Sequence, residues 1–226
     1  MPRAAKTGEH RSEPTLARDV TEWVRDRIRL GRFVPGQRLI EADITRDTGA
    51  SRSKVREALQ RLEAEGLVQI EEFRGASVRK VTLNEVRQIY RTRMALEGLA
   101  AADFASDGSQ AAKQELARIQ HELDQIAHTG NHERFAALNS EWHRAIIDGA
   151  GNDYVRQFLK RLTVPIYRLL FSTFYNAQRI DSANADHRRI TAAILEGRAA
   201  EAELAMRDHI AAGLVALSEI DSHFHE

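Results

Sequence analysis

The spacing of apolar residues changes twice along the chain, and this change constrains the fold more than any other feature of the sequence. Up to about residue 65 the apolar residues recur at helical spacing, and between residues 68 and 78 they alternate with polar residues as in strands. From Val81 onward only helical spacing occurs. The pattern predicts three short helices, a two-stranded hairpin and then an all-helical region, hence a mainly α protein with two domains.

Glycine, proline and serine mark the turns and the ends of the predicted helices in the first region. A helix is predicted from Pro14 to Leu30, followed by a turn at "GRFVPGQRL" and a second helix over residues 41–48. Ser51 is a suitable N-cap for the third helix, and Gly66 ends that helix. The strands are joined through "EEFRGAS". Three helices and a hairpin in this order predict a winged helix-turn-helix.

The domain boundaries follow from these elements. We expect a disordered tail at residues 1–13, the winged helix-turn-helix at 14–80 and a helical bundle at 81–222. Pro165 is expected to kink the fourth helix of the bundle. The bundle helices are predicted at residues 83–105, 110–128, 131–149, 152–176, 183–196 and 199–220.

Composition excludes several classes of protein. The chain has no cysteine, so disulfides and thiolate metal sites are excluded and a reducing, cytoplasmic setting is expected. It has no apolar run of the roughly 18 residues that a membrane span needs. The net charge is zero, but residues 1–80 contain 17 basic and 13 acidic residues, whereas the rest of the chain contains 16 and 20. This asymmetry predicts that only the first region contacts a polyanion.

The third helix begins with basic and hydroxyl side chains. Recognition helices present their N-terminal residues to base edges in the major groove, where the arginine fork matches O6 and N7 of guanine. Hydroxyl groups and free N–H groups at a helix start can bind phosphate. The predicted DNA contacts are Ser51, Arg52, Ser53, Lys54 and Arg56 on the helix, with Arg74 and Gly75 at the hairpin tip. The alternative for this helix alone is a basic amphipathic helix on an ordinary surface.

The stretch "PGQRLIEADI…SRSKVREALQRLEAEGLVQI…RGASVR" resembles the DNA-binding domain of the GntR family of transcription regulators. The resemblance covers about residues 14–80 and implies operator binding through the residues named above, together with Arg38. One departure is visible, because the common family pattern has Thr-Pro where this chain has Ser53-Lys54. The additional cation predicts a further phosphate or base contact and a different operator sequence.

Three of the nine histidines lie on apolar faces of predicted helices: His143, His187 and His209. Asn139 precedes His143 by one helical turn, so the two are neighbours on one helix. Side chains on three core-facing helices can converge, and three imidazoles with an amide oxygen would give a metal four ligands. The alternative is that each histidine is an ordinary buried residue with satisfied hydrogen bonds.

The region from Leu83 to Leu217 resembles the FCD effector domain of the FadR subgroup of GntR regulators. The resemblance rests on "RTRMALEGLAA", "NSEWHRAIIDGAGN", "DHRRITAAILEG" and "AMRDHI". It implies a divalent metal (zinc, nickel or manganese), which the family binds through one aspartate and three histidines. The matching positions are Asn139, His143, His187 and His209. Asparagine in place of aspartate removes one negative charge and should weaken metal binding, although its amide oxygen can still be a ligand.

Arg93 and Glu97 lie at the centre of an apolar stripe in the predicted helix that begins at Leu83. Buried charges are costly unless they are paired. One interpretation is that the two residues, one turn apart, pair with each other. The other is that Arg93 holds a carboxylate bidentately beside the metal. Both residues are therefore candidates for binding a small organic acid.

These features together predict a homodimeric, ligand-responsive transcription regulator, a repressor and not an enzyme. It would bind a palindromic double-stranded DNA operator and sense a small carboxylate or sugar acid. Three alternatives remain: a regulator for which the metal itself is the signal, a metal-dependent hydrolase, and a fatty-acyl sensor. The hydrolase requires an acid–base residue beside the histidines, and the fatty-acyl sensor requires a long apolar pocket.

Overall fold

The computed structural model describes residues 16–29, 31–163 and 176–222, and the chain divides into two compact units between Arg79 and Lys80. The predicted tail at residues 1–13 and the predicted kink at Pro165 lie outside the described residues. Both units have the predicted architecture: the fold is mainly α, with a winged helix-turn-helix followed by a helical bundle.

The N-terminal unit contains three helices and a small antiparallel sheet with strand order β1-β3-β2. The sequence-based prediction of a two-stranded hairpin was incomplete, because β1 pairs with β3 as a third strand. A two-residue strand is too short to show alternation, and its buried Leu39 lies in a segment rich in turn residues. The elements are α1 (Ala17–Arg29), β1 (Arg38–Leu39), α2 (Glu41–Thr48), α3 (Arg52–Ala64), β2 (Val68–Glu71) and β3 (Gly75–Val78).

A single small core holds this unit together. α1 packs on α3, and their buried apolar side chains share that core with residues of α2 and the sheet. Gly49 ends α2 with a positive φ of 69°, a conformation that glycine adopts without a Cβ clash. Two residues later Ser51 caps α3 by accepting a hydrogen bond from the backbone N–H of Lys54. The short turn fixes the position of the basic start of α3.

The C-terminal unit is helical throughout its described part. The long α4 begins with a capping box between Thr82 and Glu85 and packs along α9, while α5 packs on α6 and α8. Its helices are α4 (Leu83–Asp107), α5 (Gln110–Ile126), α6 (His132–Gly149), α7 (Asp153–Thr163), α8 (Ala177–Leu195) and α9 (Ala199–Ser222). In the parts of the chain that the structure describes, no helix is long and apolar enough to cross a membrane.

One predicted boundary of the bundle was wrong. α8 begins at Ala177, six residues before the predicted start at residue 183. The side chain of Asn176 accepts a hydrogen bond from the backbone N–H of Arg179, which is a sufficient N-cap. Ile180 and Ala183 are buried, so the core-facing stripe of the helix already starts in its first turn. The additional turn matters because it carries Arg179.

Candidate DNA-binding surface and candidate metal centre

The basic start of α3 is held by an apolar stripe behind it. Val55, Leu59 and Leu62 are buried, so the opposite face of the helix is directed to solvent. Arg52 is exposed, and no carboxylate partner for it occurs among the residues that the structure describes. The Ser51 and Ser53 hydroxyl oxygens lie 3.0 Å apart at the same helix end. The arrangement leaves Arg52 free to reach a base or a phosphate.

The two other cations of this helix start are already paired in the free protein. Lys54 Nζ lies 3.2 Å from a Glu57 carboxylate oxygen, and Arg56 Nε donates to both oxygens of Glu41 at 2.9 and 3.1 Å. Both pairs are well exposed, and ion pairs of this kind contribute only about 0–1 kcal/mol to stability. A phosphate can therefore replace either carboxylate at low cost.

The hairpin tip brings the other predicted DNA contacts together. Gly75 has a positive φ of 80°, and a Cβ built there would lie 3.9 Å from Nη2 of Arg38, so these two predicted residues are neighbours. Arg74 is 82% exposed and pairs with Glu71. Phe73, which the sequence analysis did not single out, is 96% exposed with a φ of 61°. The tip is thus a cationic turn that also presents one large apolar ring.

In the helical unit, the three predicted histidines converge. His143 on α6, His187 on α8 and His209 on α9 each offer a ring nitrogen, and these atoms lie within 4.8 Å of one another. His187 and His209 are buried, and His143 is largely so. The His187 ring packs against Trp142 with a centroid separation of 4.3 Å and lies 4.7 Å from the His209 ring. Three helices therefore hold three imidazoles in one cluster.

Two carboxylates determine which histidine nitrogens face each other. Glu97 contacts Nδ1 of His143 at 2.7 Å, and Asp186 contacts Nδ1 of His209 at 3.4 Å. An ionised carboxylate only accepts, so each Nδ1 carries a hydrogen and each Nε2 presents a lone pair. The two Nε2 atoms are 3.4 Å apart. Zinc–nitrogen bonds of about 2.0–2.1 Å would separate two tetrahedral ligands by roughly 3.3–3.4 Å, which matches this distance.

The third imidazole has no partner of its own. Neither ring nitrogen of His187 has a hydrogen-bond partner in the described part of the protein, although the residue is completely buried. A buried polar group without a partner is costly and is rare in native proteins. Burial lowers the pKa of His187 well below its ordinary value and that of His209 to about 4, and the neighbouring imidazoles add to both shifts. Neutral imidazoles are the form that binds metals.

The predicted fourth ligand, Asn139, is on the same helix as His143. Asn139 is on α6, one turn before His143, and its side chain is half-buried. No hydrogen bond or ion pair of its amide occurs among residues 16–29, 31–163 and 176–222. The three imidazole nitrogens fit a divalent transition metal, and the Asn139 amide has no other partner in the described residues. The residue that would add negative charge in the family pattern is absent.

Arg93 and Glu97 pair with each other and also reach the histidines. Arg93 Nε donates to a Glu97 oxygen at 2.7 Å, and their side chains are only 5% and 3% exposed. Burial acts to raise the pKa of Glu97, but Arg93 and His143 outweigh it and lower it to about 2. Arg93 Nη1 is buried and has no hydrogen-bond partner in the described residues. One guanidinium thus fixes the carboxylate behind His143 and retains an unused donor.

Sequence reasoning missed two residues of this cluster. Asp186 orients His209, and it directly precedes the predicted ligand His187, which was a usable signal because metal-binding histidines commonly contact a second carboxylate. Arg179 lies seven residues before Asp186, two turns along the same helix face. Its Nε and Nη1 atoms are buried and have no partner within the described ranges. Burial also lowers the pKa of Arg179.

A chain of buried hydrogen bonds fixes the position of α8. Trp142 Nε1 donates to the Thr191 hydroxyl at 3.0 Å, and Gln120 Nε2 on α5 donates to the side-chain oxygen of Asn184 at 3.0 Å. Asn184 in turn donates to Asp124 at 2.8 Å. These bonds tie α5 and α6 to the helix that carries His187, so the imidazole is held by packing and by polar contacts.

Both units of the chain match known protein families. Residues 88–212, more than half of the chain, match the FCD domain, and residues 16–78 match the bacterial regulatory proteins of the gntR family. The chain is a GntR-family transcription regulator with an FCD domain. The predicted family is therefore confirmed, and as a regulator of this family the protein binds DNA and is not an enzyme.

Relatives of this regulator are themselves transcription regulators. A probable D-xylose utilization operon transcriptional repressor of Paenarthrobacter nicotinovorans is 27% identical over 93% of this chain and 92% of its own length. The transcriptional repressor GlaR of Escherichia coli K12 is 25% identical over 85% of this chain and 91% of its own length. An uncharacterized regulator of Bacillus subtilis, YdhC, is 27% identical over 71% and 72%.

Solved structures share the fold of this regulator. Escherichia coli McbR/YncC superimposes with a TM-score of 0.78 at 20% identity, covering 92% of this chain and 99% of that one. A putative GntR regulator from Rhodococcus sp. RHA1 gives a TM-score of 0.74 at 21% identity, covering 90% and 97%. At this level of identity the likeness supports the two-domain architecture and not a shared ligand.

Proposed function

We propose that this GntR regulator is a repressor that responds to a small carboxylate bound at a divalent metal in its FCD domain. His143, His187 and His209 would hold the metal, with Asn139 as a weak fourth ligand, and Arg93 would bind the acid. The observation that carries the proposal is the pair of facing Nε2 atoms 3.4 Å apart beside a buried imidazole without a partner. The metal would supply positive charge for binding an anion.

The position of the carboxylates argues against the alternative of a hydrolase. Glu97 and Asp186 both contact Nδ1 atoms, on the far side of the rings from the nitrogens that would bind the metal. They therefore orient the ligands and are poorly placed to take a proton from a metal-bound water. A fatty-acyl sensor needs a long apolar pocket, whereas buried polar donors surround these histidines.

The regulator for which the metal is itself the signal remains the main competing function. Arg93 distinguishes the two, because its buried Nη1 lacks a partner and can donate a hydrogen bond to an oxygen of a bound carboxylate. A carboxylate sensor should bind its metal tightly and change operator affinity only when acid is added. A metal sensor should change operator affinity on adding metal alone.

The experiment is a titration of operator binding by fluorescence anisotropy. The full chain is stripped of metal, reloaded with zinc, nickel or manganese, and titrated onto DNA from the region upstream of its own gene with and without carboxylates. By linkage, if an acid changes the affinity of the chain for DNA, then DNA must change the affinity of the chain for that acid by the same factor. Operator affinity that responds to metal and ignores every acid would favour the metal sensor.

We further propose that the regulator acts as a two-fold dimer on a palindromic site. A single winged helix contacts few base pairs, and two-fold symmetry doubles the contacts. Two relatives are named as repressors, which supports repression as the direction of control. Light scattering with and without operator DNA should give two chains per operator. One chain per operator at micromolar concentration would contradict the dimer.

A further inference from the structure

The further inference concerns the number of charges on the effector. It rests on the proposed metal site and extends it to residues that the family resemblance did not point to. Arg179 and Tyr90 lie together near Gly213: a Cβ built at that glycine would be 3.6 Å from Arg179 Nη2 and 3.8 Å from the Tyr90 hydroxyl oxygen. Gly213 is one turn after His209 on α9, so this group borders the histidine cluster.

Arg179 is a cation without a bonded anion. Its Nε and Nη1 atoms are buried and make no hydrogen bond to any residue that the structure describes. Asp186 is the carboxylate whose charge acts on it, and the hydrogen bond of Asp186 goes to His209 instead. On the exposed side, Nη2 of a second arginine, Arg189, lies 4.0 Å from a carboxylate oxygen of Asp186. A buried guanidinium with unused donors is costly unless an anion binds to it.

With a divalent metal bound, the charges of the cluster would sum to a net charge of +2. Arg93 is balanced by Glu97 through their direct ion pair, and Arg179 is balanced at most by Asp186. The three imidazoles are neutral as ligands, and Asn139 contributes no charge where the family pattern has an aspartate. A divalent metal would therefore bring a net charge of two into a buried site. A monocarboxylate would neutralise half of that charge.

We propose that the effector carries two acidic groups, one held at the metal and Arg93 and the other held by Arg179. Its class is a short dicarboxylic acid or a sugar diacid. Arg179 has two unused donors, Nε and Nη1, and a positive charge with which to hold an acidic group. The absence of an aspartate at position 139 then has a reason, because the second carboxylate of the effector replaces the missing negative charge.

The test uses matched pairs of four-carbon acids on the zinc-loaded full chain. Calorimetry compares succinate with butyrate, and malate with 2-hydroxybutyrate, so each pair differs by one carboxylate. We expect the diacid to bind at least about tenfold more tightly in a pair that binds. Arg179→Met should reduce that preference to about twofold or less and leave binding of the monoacid unchanged. Arg91→Met, which removes an exposed arginine of α4, is the matched control and should retain the preference.

A second variant tests the same inference from the metal side and leaves Arg179 intact. Asn139→Asp restores the anionic ligand, so it should tighten zinc binding while the preference for diacids falls. Zinc content and circular dichroism of every variant show that the site and fold persist, which separates loss of recognition from unfolding.

Each outcome decides between specific claims. Equal binding of the two acids in each pair, binding of neither pair, or an equal loss for both acids in Arg179→Met would overturn the diacid inference and leave the metal site standing. Failure of the chain to bind zinc, nickel or manganese would overturn the proposed metal site and the inference together. Selective loss of the diacid in Arg179→Met, with zinc retained, would support both.

Discussion

The two domains use the same kind of ion pair in opposite ways. In the DNA-binding domain, Arg56 pairs with Glu41 at the surface, where the arginine side chain is 66% exposed. In the FCD domain, Arg93 pairs with Glu97 at a similar distance, but both side chains are almost completely buried. The first pair can be exchanged for a phosphate with little change in stability, whereas the second cannot be broken without leaving a charge inside the protein. Burial, and not residue type, decides which charges are available for function.

The largest effect should follow from breaking the buried pair. Glu97→Gln leaves Arg93 charged and unpaired in the core and should lower the free energy of unfolding by about 3–5 kcal/mol. Glu41→Gln, the matched change at the surface, should cost less than about 1 kcal/mol. The two tryptophans lie in different domains, so urea unfolding followed by fluorescence in Trp23→Phe and Trp142→Phe backgrounds reports each domain separately. Equal losses in both variants would show that burial does not matter here.

Burial of a histidine should also make the stability of the protein depend on pH. The pKa of His209 is about 4 in the folded protein and near 6.5 when unfolded, so the unfolded state binds the additional proton. Stability of the metal-free protein should therefore be unaffected by this group above pH 6.5 and should fall by about 3 kcal/mol between pH 6.5 and pH 4. His209→Asn should reduce this slope. Urea unfolding in chelator across this pH range provides the measurement, and an unchanged slope in His209→Asn would contradict it.

On the exposed side, removing a predicted DNA contact should change binding and not folding. Arg52→Ala should weaken operator binding by about 1–3 kcal/mol and relax specificity at one base pair in each half-site. Arg61→Ala is the matched control at the other end of α3, nine residues later and on the opposite helix face. Electrophoretic mobility shifts with wild-type and single-base operator variants measure both effects. If Arg52→Ala binds like Arg61→Ala, the assignment of Arg52 as a reader of bases is wrong.

The smallest effect is expected at the hairpin tip. Arg74 is 82% exposed and pairs with Glu71 at the surface, so Arg74→Ala should leave the fold intact. Loss of one phosphate contact should weaken binding by a similar factor for all DNA sequences. It should also make the slope of the logarithm of the binding constant against the logarithm of salt concentration shallower by about one unit. Binding measured from 50 to 200 mM salt tests this. A sequence-dependent loss would instead make Arg74 a reader of bases.

Sequence patterns predicted the parts of the fold that depend on local periodicity. The helix-turn-helix, the wing and the histidine-bearing helices follow from apolar spacing and from capping residues such as Ser51. The two-residue β1 was missed because pairing with β3 is a tertiary contact that two residues do not encode locally. The early start of α8 was missed although Asn176 was a possible N-cap. Periodicity indicates which face is buried but defines the ends of an element poorly.

The residues of the candidate metal centre were likewise predicted only in part. Three histidines on core-facing stripes were visible in the sequence, and the FCD resemblance put them in order. Asp186 and Arg179 were not found, because their roles depend on contacts between helices: Asp186 contacts His209 from a different helix, and Arg179 borders Gly213. Helical spacing relates residues of one helix, whereas convergence of several helices requires the fold itself.

The most direct test of the central claim is the metal content of the purified chain. Protein prepared without chelator or histidine tag, and again after incubation with zinc, nickel or manganese, is analysed by elemental mass spectrometry alongside its melting temperature. We expect one divalent ion per chain, a higher melting temperature with metal, and loss of both in His187→Ala but not in His128→Ala. No bound metal under any of these conditions, with an unchanged melting temperature, would contradict the account and leave the three histidines as ordinary buried polar groups.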